Sequence, residues 1–160
     1  MMTMTTNRGA SLSLGPATAE DLMSPNPISV NADATVGEAT AMLTDRGFSA
    51  APVIDEAGRP VGVISRVDIL IHERERHHHL RLSDDVFGAL GFTVEEFDPT
   101  CVVDVMTPAV FTVPLETPVN RVVWEMSALH VHQLFVVDSV GSLIGVISAL
   151  DIVRHLHAET

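Results

Sequence analysis

The sequence predicts an α/β (α+β) fold in which a β-α-β-β-α unit occurs twice, and an internal duplication carries that prediction. Gly62–Asp68 (GVISRVD) returns as Gly145–Asp151 (GVISALD), 83 positions further along the chain. At the same offset, and without a gap, Met23–Pro25 (MSP) returns as Met106–Pro108 (MTP). A sequence repeat of this length is one structural unit that packs against its neighbour. We therefore expect this chain of 160 residues to be one domain, or two small units that share one core.

Copy one contains the signals of three strands and two helices. Thr35 with Glu38 three residues later forms a capping box, and Gly47 supplies the end of that helix. The apolar stretches on either side of Gly58 are typical of a buried strand and its return strand, joined by a turn. The elements predicted in copy one are, in order, a strand at Ile28–Val30, a helix from Thr35 to Gly47, strands at Pro52–Asp55 and Val61–Ile64, and a helix that begins at Ser65.

Copy two repeats this order. Thr117 caps its first helix, and Pro118 stands at the first helical position, where its missing N–H costs nothing. Two strands at Leu134–Asp138 and Leu143–Ile147 follow, and the last helix is predicted to run from Ser148 towards His157.

The rest of the chain falls outside the repeat. We expect residues 1–16 to be a flexible leader, residues 17–71 and 100–157 to be the two repeated domains, and residues 72–99 to be a helical insert. The first half of the insert continues the preceding helix with a charged surface. The second half carries Phe87, Leu90, Phe92 and Phe97, which must pack over the module or against a partner.

Composition excludes several classes of function. The net charge is −12 and the chain has no lysine, so nucleic acid is excluded as a partner, and anionic ligands must be held by Arg, His or backbone N–H groups. No apolar run approaches the roughly 18 residues of a membrane span. Cys101 is the only cysteine, which favours a reducing, cytoplasmic location.

Ser-x-x-Asp at a strand-to-helix junction has two interpretations. Ser65 and Ser148 are good N-caps, and an Asp at the third helical position returns a hydrogen bond to the cap. The second interpretation is a binding site, because a carboxylate at the end of a buried strand can accept the two hydroxyls of a ribose. The glycine three residues before each serine supports it, since glycine permits close approach to the backbone.

These motifs, in this order, resemble a CBS domain, and two in tandem resemble a Bateman module. The resemblance rests on Met-[Ser/Thr]-Pro, a buried Pro-Val-x-Asp strand, a glycine turn and Gly-Val-Ile-Ser-x-x-Asp, and it covers residues 17–71 and 100–157. It implies two units packed about a pseudo-twofold axis, usually in a homodimer. It also implies a regulatory, energy-sensing module without catalysis that binds AMP, ADP, ATP or S-adenosylmethionine in clefts between the copies.

The resemblance assigns roles to residues of both copies. It implies that Asp68 and Asp151 bind ribose and that Ser65 and Ser148 meet phosphate. It further implies that each cleft takes wall residues from both copies. The expected walls of the Asp151 cleft are His132, Gln133, Met23, Asn26, Ile28 and Phe48. Those of the Asp68 cleft are Ser49, Ala50, Met106, Ala109, Phe111 and Val131.

The two copies differ at positions that matter for a phosphate. Copy one has Arg66 where copy two has Ala149, and copy two has His132 where copy one has Ser49. We therefore expect Arg66 to meet a phosphate in the first cleft and His132 to do so in the second. Because basic residues are few, a monophosphate is easier to hold than a triphosphate, which favours AMP.

Two other functions remain open. One is a protein-interaction or dimerisation module whose clefts are vestigial. The other is a metal sensor built on the histidines, of which His72 and His79 are seven positions apart and can share a helix face. No catalytic residues, no metal site and no cofactor are predicted. The effector protein that would receive the signal is unknown.

Overall fold

The computed structural model describes residues 12–15, 18–87 and 98–158, with the side chains of residues 12–14, 78–87 and 157–158 excepted. In chain order the elements are β1 (Leu12–Leu14), α1 (Ala19–Leu22), β2 (Ser24–Pro25), β3 (Val30–Asn31), α2 (Val36–Arg46), β4 (Ala50–Ile54), β5 (Pro60–Ser65), α3 (Arg66–Phe87), α4 (Val102–Val105), β6 (Thr112–Pro114), α5 (Val119–Ala128), β7 (Gln133–Val137), β8 (Leu143–Ser148), α6 (Ala149–Arg154) and β9 (Leu156–Ala158). The β-α-β-β-α order predicted for each copy is confirmed.

The chain forms two compact units that do not coincide with the two copies of the repeat. One unit, here the Asp151 unit, combines residues up to 26 with residues 111–139 and 144 onwards. The other, here the Asp68 unit, comprises residues 27–110 and 140–143. Each unit therefore contains the body of one copy and the Met-[Ser/Thr]-Pro segment that precedes the body of the other.

The Asp151 unit is built on a four-stranded sheet in the order β2-β8-β7-β6. Strand β2 runs antiparallel to β8, with Ser24 opposite Val146, and β6 runs parallel to β7. Helices α1 and α5 contribute Leu22, Val122 and Met126 to a core that also contains Leu134, Val136 and Ile147 from the sheet.

The Asp68 unit has a three-stranded sheet in the order β3-β4-β5. Strand β3 is parallel to β4, and β4 is antiparallel to β5. An antiparallel bridge joins Val63 to Thr107, the position that corresponds to Ser24 in the repeat. Its core is formed by Val30, Val36, Ala39, Leu43, Ala51, Val53, Ile64, Ile69 and Val102.

Three sequence-based predictions need correction. The last helix ends at Arg154 rather than near His157, because the chain turns at His155 into strand β9. Strand β9 pairs antiparallel with β1, so Leu12–Leu14 are not part of a flexible leader. The strand predicted at Ile28–Val30 is observed one to two residues later, at Val30–Asn31. The helix predicted to enter the insert is confirmed as α3, whereas Leu90, Phe92 and Phe97 lie outside the described residues.

Candidate functional site

The motif in the Asp68 unit forms a complete capping box at the start of α3. The backbone N–H of Ser65 donates to Oδ2 of Asp68 at 2.8 Å, and the Ser65 hydroxyl donates to the same oxygen at 2.5 Å. The N–H of Asp68 returns a bond to Ser65 Oγ at 3.2 Å. The serine and one carboxylate oxygen therefore have a structural role, and Oδ1 of Asp68 is the oxygen that points beyond the cap.

The motif in the Asp151 unit has the same geometry at the start of α6. The N–H and hydroxyl of Ser148 donate to Oδ2 of Asp151 at 2.8 and 2.6 Å, and the N–H of Asp151 donates to Ser148 Oγ at 3.3 Å. The structural interpretation of Ser-x-x-Asp is thus satisfied in both copies. It leaves one carboxylate oxygen in each for another partner.

The surroundings of that second oxygen differ between the units. In the Asp68 unit, the Thr107 hydroxyl lies 3.3 Å from Asp68 Oδ1 and donates to it. In the Asp151 unit, Arg154 Nη1 lies 3.9 Å from Asp151 Oδ1. Ser24 is the counterpart of Thr107 in the repeat. Within the part of the chain that the structure describes, Ser24 makes no hydrogen bond to Asp151. The oxygen of Asp151 thus has a cation beside it, whereas the oxygen of Asp68 has an uncharged hydroxyl.

Acidic groups surround Asp68 on its other side. Asp68 lines an open cavity of about 170 Å³ together with Ile71, His72, Glu75, Asp104 and Val105. Three carboxylates on one small cavity repel an anion such as a phosphate and attract a cation. The Arg154 position of the Asp151 unit is occupied by Ile71 here, so the Asp68 unit lacks the corresponding charge.

Arg66 does not face the Asp68 carboxylate in this structure. Its Nη2 lies 3.5 Å from the carbonyl oxygen of Leu43, near the end of α2, where the helix dipole favours a cation. Its backbone N–H donates to the carbonyl of Ser49 at 3.0 Å, which holds the start of α3 against the start of β4. The guanidinium thus already has a partner within its own unit.

Ala149 takes the place of Arg66 in the Asp151 unit, and the groove beside it is open. An open cavity of about 530 Å³ is lined by Val123, Met126, Ser127, His130, Val131, His132, Ala149 and Ile152. His132 is exposed, and its carbonyl accepts the N–H of Ala149 at 3.0 Å. This bond fixes the backbone of His132 to the beginning of α6, at the residue that follows Ser148.

The two units divide the predicted site residues between them. The Asp151 unit contains Ser148, Asp151, His132, Gln133, Met23 and Asn26, together with Phe111 and Val131. The Asp68 unit contains Ser65, Arg66, Asp68, Ser49, Ala50, Met106 and Ala109, together with Ile28 and Phe48. Four of the expected wall residues lie in the same unit as the aspartate of their predicted cleft: Met23 and Asn26 with Asp151, and Met106 and Ala109 with Asp68. Four others lie in the opposite unit from that aspartate: Ile28 and Phe48, predicted for Asp151, and Phe111 and Val131, predicted for Asp68.

The motif glycines provide the space for the methionines of the Met-[Ser/Thr]-Pro segments. A Cβ atom on Gly145 would overlap Sδ of Met23, and one on Gly62 would overlap Sδ of Met106 and lie 2.8 Å from the carbonyl oxygen of Thr107. Sequence reasoning inferred a close approach at these glycines and assigned it to a ligand. The groups that approach belong to this chain: the side chains of Met23 and Met106 and the carbonyl oxygen of Thr107.

Sequence reasoning missed Thr107 and Arg154, which contact the second carboxylate oxygens. Thr107 belongs to the repeated Met-[Ser/Thr]-Pro motif and could have been found from that repeat. Arg154 lies three residues after Asp151 on the same helix, which is the spacing of an i,i+3 ion pair.

A second polar cluster lies at the beginning of the segment that leads to copy two. Asp98 Oδ2 is 2.7 Å from His72 Nε2, and Asp98 Oδ1 accepts the N–H of Thr100 at 3.0 Å. Partial burial raises the pKa of Asp98, but the hydrogen bonds from Thr100 and His72 and the charge of Arg76 outweigh it and lower that pKa to about 2. Asp98 is therefore a carboxylate at every physiological pH.

Within the described residues, no helix is both long enough and apolar enough to cross a membrane.

The family model for the CBS domain matches the chain twice, over residues 19–75 and 102–158, which together make up more than half of its length. The chain belongs to the CBS domain family. The two matches follow the sequence repeat and confirm the tandem pair inferred from the motifs. The two Ser-x-x-Asp motifs of this CBS pair form the capping boxes described above.

Two curated relatives illustrate how such pairs occur. The chain is 34% identical over 116 residues to the 5′-AMP-activated protein kinase subunit gamma-3 of Bos taurus, a match that covers 72% of this chain and 21% of the relative. It is 26% identical over 135 residues to the L-aspartate semialdehyde sulfurtransferase of Methanocaldococcus jannaschii, covering 84% of this chain and 22% of the relative. The chain thus spans about a fifth of the length of either protein.

A solved structure of a CBS protein matches most of the fold. The crystal structure of CBSX2 in complex with AMP has a TM-score of 0.65 and 26% sequence identity, and the match covers 87% of this chain and 95% of that one. The agreement over nearly the whole of that protein supports the architecture described above.

Proposed function

We propose that this CBS pair is a regulatory module that binds an adenosine nucleotide, with AMP favoured, and that Asp151 holds the ribose. The observation that carries the proposal is the second oxygen of Asp151, which is not needed by the capping box and lies beside Arg154. A carboxylate oxygen in that position accepts a ribose hydroxyl. The complex of the similar protein CBSX2 with AMP supports the choice of ligand.

The charges of the Asp151 unit favour a phosphate better than those of the Asp68 unit do. Arg154, the last residue of α6, places its guanidinium beside Asp151, and the exposed His132 is bonded through its carbonyl to Ala149 at the start of the same helix. Around Asp68, Glu75 and Asp104 oppose an anion, and Arg66 is bound to Leu43. We therefore infer that the Asp151 site binds the nucleotide more tightly than the Asp68 site does.

The small number of cations sets the preferred phosphate charge. Arg154 is the one arginine beside Asp151 in the described part of the chain, and a single cation balances a monophosphate better than a triphosphate. We expect the order AMP, then ADP, then ATP, with S-adenosylmethionine as the ligand that tests whether phosphate is needed at all. The module acts as a regulator without catalysis, and ligand binding shifts its conformational equilibrium for an effector protein to read.

The test is calorimetric titration of the full chain with AMP, ADP, ATP and S-adenosylmethionine. Asp151→Asn keeps a side-chain oxygen for the Ser148 bonds but removes the charge that binds ribose. Losing a hydrogen bond to a charged group costs about 1.5–3 kcal/mol, which weakens AMP binding by about 10- to 150-fold. Asp68→Asn is the matched control, because it alters the same capping box in the other unit, and it should change AMP affinity by a smaller factor.

Three outcomes would contradict this proposal. AMP binding that is equal in wild type and Asp151→Asn would remove Asp151 from the site. A larger loss in Asp68→Asn would move the site to the other unit. Absence of binding by every adenosine compound, in a chain that unfolds cooperatively, would leave the interaction module as the better description.

A homodimer that brings helix faces together is the second candidate, and it is compatible with ligand binding. Val67 and Leu70 on α3 are 62% and 68% exposed, and their counterparts Leu150 and Val153 on α6 are 54% and 59% exposed. Both copies thus present an apolar pair at the same helical positions, an arrangement typical of an interface.

Light scattering after size-exclusion chromatography tests this interface. Leu70→Glu with Val153→Glu should convert a dimer to a monomer, because a charge on a buried apolar surface opposes association. Leu129→Glu, on another exposed apolar residue, is the control. A wild-type chain that elutes as a monomer at all concentrations would contradict the dimer.

A further inference from the structure

His72, Glu73 and Asp98 form a compact cluster of metal-ligand types in the Asp68 unit. One ligand atom from each of the three lies within 4.8 Å of the other two, and all three residues are half-buried. His72 and Glu73 are neighbours on α3, and Asp98 precedes the segment that leads to α4. The cluster therefore brings together two stretches of chain that are 25 residues apart in sequence.

The carboxylate of Asp98 is held in one orientation. Its Oδ1 accepts the backbone N–H of Thr100, which directs Oδ2 at His72 Nε2. Metal-ligating carboxylates are typically fixed by such an outer hydrogen bond. His72 also lines the open cavity of about 170 Å³, which gives an ion a route to the cluster.

We propose that His72, Glu73 and Asp98 bind a divalent transition-metal ion of the Zn²⁺ class. One imidazole nitrogen with two carboxylate oxygens suits Zn²⁺, Ni²⁺ or Co²⁺ better than Ca²⁺ or Mg²⁺, which prefer oxygen ligands alone. His77 Nε2 lies 3.8 Å from Glu73 Oε2 and can supply a fourth ligand. The proposal does not depend on the nucleotide site.

Arg76 occupies the position of a cation when no metal is bound. Its Nη1 is 3.6 Å from Asp98 Oδ2 and 3.7 Å from Glu73 Oε1. The guanidinium thereby offsets part of the charge of the two carboxylates. A divalent ion would displace it, and His72 would bind the ion through Nε2 as a neutral imidazole with its proton on Nδ1.

This competition separates a metal site from a purely structural ion-pair cluster. If the cluster binds metal, Arg76→Gln removes the competing cation and should tighten Zn²⁺ binding on the order of tenfold. If the cluster is only structural, the same variant breaks ion pairs and creates no affinity for Zn²⁺. The Arg76→Gln variant therefore distinguishes the two cases: tighter Zn²⁺ binding indicates a metal site, and no Zn²⁺ binding indicates a structural cluster.

The experiment is titration of the full chain with Zn²⁺ by calorimetry, with Co²⁺ absorption spectra as a second readout of the ligand set. Glu73→Gln and Asp98→Asn should each weaken Zn²⁺ binding by about 10- to 100-fold. His155→Gln, at the position that corresponds to His72 in the repeat, is the matched control and should leave binding unchanged. A His78→Gln, His79→Gln double variant is the second control. It tests whether the histidines that follow His77 in the sequence bind the Zn²⁺ instead.

Three results would overturn the proposal. These are absence of Zn²⁺ binding by the wild-type chain, equal affinity in wild type and both carboxylate variants, and loss of binding in the His78, His79 control. Circular dichroism of each variant shows whether it is folded, and Glu73→Gln keeps the His72–Asp98 contact if Asp98→Asn does not fold.

Discussion

The Asp68 unit begins α3, and the Asp151 unit begins α6, with the same capping geometry, but different charges surround the two helix starts. In both, a serine and one oxygen of the aspartate complete a capping box with nearly identical distances. The second oxygen faces Thr107 and an acidic cavity in one unit and Arg154 in the other. The duplication has thus preserved the part of the motif that begins a helix, while the charged residues around it have diverged.

A contact of α3 with the segment before α4 has a counterpart in the contact between the end of α6 and the segment before α1. These two contacts show the same divergence. At the same offset of 83 residues, position 72 corresponds to position 155 and position 15 to position 98. In the Asp68 unit, His72 and Asp98 meet through their side chains at 2.7 Å. In the Asp151 unit, the N–H of Gly15 donates to the carbonyl of His155 at 3.5 Å. One topological contact is thus made by ionisable groups in one unit and by backbone in the other.

The largest effect that we expect from the comparison is on stability, at the motif glycines. Gly62→Ala places a methyl group against Sδ of Met106 and 2.8 Å from the backbone oxygen of Thr107, which cannot move away. Gly145→Ala overlaps Sδ of Met23, which a change of rotamer can move away, and leaves a contact of 3.1 Å with Cβ of Met23. Overpacking typically costs about 1–3 kcal/mol, and we place Gly62→Ala at the upper end and Gly145→Ala at the lower end.

Urea unfolding of both variants measures this difference, and a rescue experiment identifies its cause. Met23→Ala should restore most of the stability lost in Gly145→Ala, measured against Met23→Ala alone. Met106→Ala should restore less of the stability lost in Gly62→Ala, because the carbonyl of Thr107 remains. If the glycines are there to admit a ligand rather than a methionine, both alanine variants would lose AMP binding and keep wild-type stability.

The sequence was sufficient to predict the elements whose signals are local. The duplication, the capping boxes at Ser65 and Ser148 and the helix that ends at Gly47 depend on residues close together in the chain, and the structure confirms them. The tandem CBS pair followed from the same motifs, and the family matches confirm it. The ligand roles given to Asp68, Asp151 and the wall residues remain predictions.

Features that depend on distant pairing were not predictable in this way. The end of α6 at Arg154 lacks a Gly or Pro signal, and the helix stops there because residues 156–158 pair with β1. The placement of Met23 against Gly145 joins residues of different copies, which no local pattern reports. Arg66 was expected at a phosphate because charge alone was visible, whereas its bond to Leu43 depends on the packing of α2 beside α3.

The smallest effect that we expect comes from exchanging one residue between the two surroundings. Arg154→Ile installs the residue that copy one has at position 71 and removes the cation beside Asp151. Because Arg154 is 65% exposed, solvent screens its charge, and we expect AMP affinity to fall only about two- to fivefold, equivalent to roughly 0.5–1 kcal/mol. The loss should shrink at high salt, since exposed charges are screened.

Arg121→Gln, which removes an exposed arginine bound to Glu125 on α5, is the control for net charge. The reciprocal change, Ile71→Arg, should strengthen nucleotide binding at the Asp68 site in an Asp151→Asn background. If neither exchange alters AMP affinity, the asymmetry of charge between the two units does not govern which site the nucleotide occupies.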